Sequence, residues 1–120
     1  MTFTHQGASW IDQTKHLHDV RYPGDWNMKM IDELIKRADT WSEKWKVPLI
    51  ADEFGVYHDG GARRADMLAY LHDVRTSLEA HGISWTLWDY GAGFGIASGS
   101  AGSRTLDKPT LKALGLETHE

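Results

Sequence analysis

The sequence predicts an α/β protein built on a parallel sheet, and three observations carry that prediction. Stretches with helical spacing of apolar residues alternate with short runs suited to strands. The connections between the runs are long enough for helical crossovers. The first clear strand, within VPLIADEFGVY (47–57), ends on the carboxylate of Glu53 and then on a Phe-Gly pair. In parallel α/β sheets the C-terminal strand ends are where active sites are built.

Taken in order, FTHQGASW reads as the tail of a strand running into a long polar connection that lasts to Pro23-Gly24-Asp25. Ordered connections of that length are often functional. From Met28 to Lys46, the residues Ile31, Leu34, Ile35, Ala38, Trp41 and Trp45 recur at helical spacing, so both tryptophans read as core. Asp25 or Asn27 can cap this helix, and Pro48 lies beyond its end. In the strand that follows, alternation places Leu49, Ala51 and Glu53 on one face and Pro48, Ile50 and Asp52 on the other. Gly55 reads as the residue that allows a sharp turn after the carboxylate.

Asp59-Gly60-Gly61 signals a turn, and a second helix is expected over 62–81. Ala65, Leu68, Leu71, Val74 and Leu78 read as its buried face, and Gly82 stops it. Arg63 and Arg64 at its start read as solvated charges. The second strand, ISWTLWDY, groups Ile83, Trp85 and Leu87 against Ser84, Thr86 and Trp88. A Gly/Ser-rich loop from Gly91 to Gly102 contains Phe94, and a last helix is expected over 108–114.

Composition narrows the function classes. With a formal net charge of −4, a pI near 5.9 and no basic stripe, neither nucleic acid nor an anionic membrane is an expected partner. There is no cysteine, hence no disulfide and no thiolate metal site. The His16-Leu17-His18 pair lacks a third ligand at clear spacing, so no metal is expected. No cofactor is expected either: the GAGFG segment follows a strand but opens no helix, which removes the context of a phosphate-binding loop. The first ten residues lack the charged and apolar regions of a signal peptide. Six tryptophans in 120 residues suit stacking on sugar rings.

A complete (β/α)₈ barrel takes about 250 residues, against the 120 of this chain. The expectation is therefore a piece of such a barrel with open sheet edges. Three segments in this order and spacing, FTHQGASW, PLIADEFGVY and ISWTLWDYGAGFG, resemble the C-terminal part of glycoside hydrolase family five, the cellulase family. The resemblance implies a partial (β/α)₈ TIM barrel, roughly the last third, from the end of strand six through helix eight. Residues 1–120 would then be a C-terminal fragment of the catalytic domain of a retaining, endo-β-1,4-glucanase-like enzyme.

Residue by residue, the resemblance implies that Glu53 is the catalytic nucleophile and that Trp88 stacks under the sugar at the cleavage point. His5 and Gln6 match the loop beside the cleft, and Phe94 matches the loop after strand eight. Retaining hydrolysis needs a second carboxyl group roughly 5–5.5 Å from the first. In the family this is a Glu after Asn on strand four, outside this sequence. Asp52 and Asp89 face away by alternation, and nothing positions Asp59. The implied partner is a β-glucan or oligosaccharide, and the implied location of the parent enzyme is secreted or periplasmic. Two rival readings are an inactive carbohydrate-binding remnant and a partial barrel that self-associates through its open edges.

Overall fold

The computed structural model describes residues 2–116, as three α-helices that share a core with a two-stranded parallel sheet, with a small hairpin near the end. Helix α1 runs Met28–Trp45, strand β1 Ile50–Phe54, helix α2 Arg64–Ala80 and strand β2 Ser84–Leu87. The short strands β3 (Ala97–Ser98) and β4 (Thr105–Leu106) pair antiparallel, and α3 (Lys108–Ala113) is the last helix among the described residues. The radius of gyration is 15.2 Å, against about 13.6 Å for a compact domain of this length. The molecule is a slab, 23 Å through its thinnest direction.

The opening segment forms turns rather than the expected end of a strand. Phe3 and Tyr22 anchor it on Tyr70 of α2, with ring centroids 5.4 to 5.6 Å apart and about 0.5–1.5 kcal/mol from each ring pair beyond burial. Arg21 Nε and the Tyr22 amide both donate to the buried Asp66 carboxylate, at 2.6 and 3.2 Å. The guanidinium holds Asp66 below the usual carboxylate range. These anchors explain why the buried face of α2 differs from the expected one. Leu71, Val74 and Leu78 are buried together with Asp66, Met67, Tyr70 and Ser77, whereas Ala65 is exposed and Leu68 half-buried.

Asn27 caps α1 by accepting from the Met30 amide. Ile31 and Ile35 of this helix meet the core, but Trp41 and Trp45 do not: they are 52% and 58% exposed. Their helical spacing is real, and the described residues supply nothing on that side to cover them. At the start of α2, Arg64 is not a free solvated charge, because its guanidinium pairs with Asp107 ahead of α3. The Gly/Ser-rich loop differs from the expected irregular segment in carrying β3, which pairs with β4 in a short hairpin.

Strand β1 corrects the expected alternation. Ile50 pairs with Ser84 and Ala51 with Trp85, but the next pair is Phe54 with Leu87. Three residue steps on β1 match two on β2, so β1 carries one extra residue, a β-bulge. Ala51 and Phe54 both pack on the core, and Asp52 and Glu53 between them are both exposed. Glu53 thus leaves the face of Leu49 and Ala51, with which strict alternation had grouped it. On β2 the grouping holds: Ile83, Trp85 and Leu87 meet the core, and Ser84, Thr86 and Trp88 are exposed.

Candidate active site

At the C-terminal ends of β1 and β2 lies an open cleft of about 310 Å³, lined by His5, Glu53, Phe54, Gly55, Trp88 and Phe94. The two strands deliver Glu53 and Trp88 side by side because their ends are paired: the Trp88 amide donates to the Phe54 carbonyl at 2.9 Å. The peptide bond from Trp88 to Asp89 is cis. Gly55 serves a different purpose from the expected turn. A Cβ there would lie 2.2 Å from the Trp88 carbonyl oxygen, so only glycine lets the two strand ends approach this closely.

His5 and Phe94 form the far wall. Their rings sit 5.2 Å apart, and Phe94 also meets Tyr57 at 5.5 Å. The opening segment is held over β1 by a bond from the Tyr57 amide to the Thr4 carbonyl at 2.9 Å. On the other side, the His58 amide donates to Gly93 at 2.7 Å and fixes the Phe94 loop. His5 shares a hydrogen bond with the Thr4 hydroxyl at 2.8 Å. Partial burial lowers the His5 pKa, and the negative charge of Glu53 opposes that shift. The imidazole is therefore biased toward its neutral form, able to donate or accept one hydrogen bond to a ligand.

Gln6 is a correction. It lies buried beneath the loop rather than in the cleft, and both ends of its amide are engaged. Its nitrogen donates to the carbonyls of Phe3 and Val20 at 3.2 and 3.0 Å, and its oxygen accepts from the Val20 amide at 3.0 Å. Gln6 therefore shapes the loop that carries His5 and is not available to a ligand.

Glu53 is the sole carboxylate lining the cleft among the described residues, and none of them pairs with it by ion pair or hydrogen bond. Asp89 is occupied in a turn, where its carboxylate accepts from the Ala92 amide at 3.0 Å. Asp59 sits in the 3₁₀ turn His58–Gly60 and does not line the cleft. Among the described residues no three His, Asp or Glu side chains gather as a metal site. Beyond Tyr57 lies Trp10, stacked edge-on at 4.8 Å and 59% exposed. The row Trp10–Tyr57–Phe94–His5 makes an aromatic rim that sequence spacing alone did not assemble.

An exposed carboxylate and an exposed indole, side by side at the C-terminal ends of paired parallel strands with helical crossovers, define the class: part of a (β/α)₈ barrel with one side of a cleft. No family model and no curated protein matches the chain. Solved structures do. Endoglucanase Cel5A from Thermotoga maritima is 28% identical with a TM-score of 0.84, over 94% of this chain and 35% of that one. A hyperthermophilic endo-β-1,4-glucanase in complex with substrate is 32% identical with a TM-score of 0.83, over 95% of this chain and 36% of that one. Cellulose synthase subunit Z from Clostridioides difficile is 27% identical with a TM-score of 0.83, over 94% and 36%.

The chain thus spans about a third of the length of the structures it matches. It corresponds to the C-terminal portion of a glycoside hydrolase family five barrel.

Proposed function

We propose that this chain carries the nucleophile half of the active site of a retaining β-glycosidase acting on β-1,4-linked glucan. The observation that carries the reading is Glu53, unpaired at the bulged end of β1 and facing the same cleft as Trp88. In the proposed reaction a Glu53 oxygen attacks the anomeric carbon as the glycosidic C–O bond breaks, giving a covalent glycosyl-enzyme that water later hydrolyses. Trp88 would stack under the sugar at the point of cleavage. His5 would donate or accept a hydrogen bond at a sugar hydroxyl, and Phe94 would wall the cleft. The acid that protonates the leaving oxygen would come from outside the described residues, since Glu53 is the one carboxylate they bring to the cleft.

Glucan as substrate is supported by likeness to Thermotoga maritima Cel5A, solved with cellobiose. That enzyme has also been solved with mannotriose, so a mannan is the second substrate to test. A polymeric substrate of this kind would suit a secreted or periplasmic parent enzyme, and that location is part of the proposal.

An aryl β-cellobioside with a good leaving group separates the nucleophile from the acid, because departure then needs little protonation. The chain is expected to accumulate a covalent cellobiosyl adduct on the peptide containing Glu53, detectable by mass spectrometry and absent in Glu53→Gln. No adduct, together with glucan binding unchanged in Glu53→Gln, would favour a binding remnant instead.

A further inference from the structure

The segment that follows β2 carries two of the cleft's aromatic rings, Trp88 at its start and Phe94 within it, and its backbone folds back on itself. The Asp89 amide faces the Phe94 carbonyl at 3.4 Å, and the Ala97 amide of β3 donates to the Tyr90 carbonyl at 2.8 Å. A shift at Tyr90 or Gly91 is therefore passed to both rings through short backbone links. Two groups from elsewhere in the chain hold this loop. One is the His58 amide, which donates to the Gly93 carbonyl at 2.7 Å. The other is Arg104, the residue before β4. Its Nη1 donates to the Gly91 carbonyl at 3.3 Å, and its guanidinium lies 5.2 Å from the centre of the Tyr90 ring. The backbone leaves room for that group: a Cβ on Gly91 would overlap the Arg104 guanidinium. Among the described residues Arg104 pairs with no carboxylate, so these loop contacts are what its charge is spent on.

We propose that Arg104 is a positioning residue for the cleft: by clamping Tyr90 and Gly91, it sets the pose in which Trp88 and Phe94 meet a sugar. The clamp stands on the contacts of the loop; that the ligand is a glucan rests on the function proposed above. Arg104 does not line the cleft, so it acts through the loop and not by touching the ligand. An exposed cation–π contact and one hydrogen bond to backbone are enough to shift a loop equilibrium by about three- to tenfold.

A double-mutant cycle on the full chain tests the clamp. The first readout is the indole N–H signal of Trp88 in a proton–nitrogen correlation spectrum, identified by its absence in Trp88→Phe. The second is the Kd for cellotetraose. Arg104→Ala should shift the Trp88 signal, leave those of Trp41 and Trp45 on α1 in place, and weaken cellotetraose binding by about three- to tenfold. Gly91→Ala displaces the same guanidinium, and since Gly91 is not among the glycines with positive φ, the alanine adds no backbone strain of its own. It should reproduce both effects when Arg104 is intact and add nothing to Arg104→Ala. Arg104→Lys keeps a cation for the Tyr90 ring and should recover part of each loss. Both positions are exposed, so the variants keep their core, checked by unchanged helical circular dichroism.

The two readouts separate this inference from the functional reading beneath it. A chain that binds no cellotetraose counts against the glucan ligand, while the Trp88 signal still decides the clamp. Two outcomes would overturn the clamp: a Trp88 signal unmoved by Arg104→Ala, or effects of Gly91→Ala and Arg104→Ala that simply add in the double variant.

Discussion

Gly60 offers a sharp test of how the cleft is held together. It lies in the turn after β1, and the opening segment presses directly on it. A Cβ at Gly60 would lie 1.8 Å from the Gln6 carbonyl oxygen and 2.7 Å from Tyr57 Cδ1. An ordinary carbon–oxygen contact is about 3.3 Å, so Gly60→Ala must open a gap of about 1.5 Å. The obstructing atom is backbone, and the Gln6 amide is committed at both ends, so no side chain can swing aside. The segment carrying His5 must lift, straining the bond from the Tyr57 amide to Thr4.

Overpacking costs about 1–3 kcal/mol and a lost backbone bond about 1 kcal/mol, so Gly60→Ala should destabilise by about 2–4 kcal/mol. Gly82→Ala is the matched control. Nothing lies within 4 Å of its Cβ, and its φ of 64° makes the cost purely conformational, about 1–2 kcal/mol. Urea unfolding followed by tryptophan fluorescence gives both values, and limited proteolysis reports whether residues 2–26 have lifted. A Gly60→Ala chain no less stable than Gly82→Ala, with unchanged cleavage in that segment, would refute the proposed seating.

Two further predictions concern ion pairs. His81 closes α2 onto α1, with Nδ1 2.8 Å from Asp39 and Nε2 3.4 Å from Asp32, which also accepts from Ser77; Lys36 lies near Asp32. Its hydrogen bond to Asp39 raises the His81 pKa above the usual 6.5. Its contribution is therefore full below about pH 6.5 and lost as pH rises through the raised value. The urea midpoint should fall between about pH 6 and pH 8, and Asp39→Asn should flatten that dependence. Asp66→Ala removes the acceptor shared by Arg21 and the Tyr22 amide and should cost about 1–3 kcal/mol by urea unfolding. The depressed Asp66 pKa has the opposite sign: its stabilisation holds above the usual carboxylate value and fades as pH falls through the folded one.

Much of this protein was legible in its residues. Helical spacing located α1 and α2 within two residues at each end, and Asn27 and Gly82 marked where they start and stop. Alternation in ISWTLWDY sorted the faces of β2 correctly because that strand runs without interruption. The placement of Glu53 at a strand end could be read because apolar periodicity stops there and Phe54-Gly55 follows.

What sequence pattern could not supply was everything set by a neighbour distant in the chain. The side of β1 on which Glu53 emerges depends on a bulge, and a bulge exists only as a mismatch between two paired strands. Gln6 looks like a cleft residue until its amide is seen to close the loop on Val20, fourteen positions away. Gly55 and Gly60 look like turn glycines, yet each is needed because another backbone passes within a Cβ's radius. Trp41 and Trp45 carry the pattern of buried residues and stand exposed. Periodicity declares which face of a helix seeks cover, and only tertiary structure decides whether anything is there to provide it.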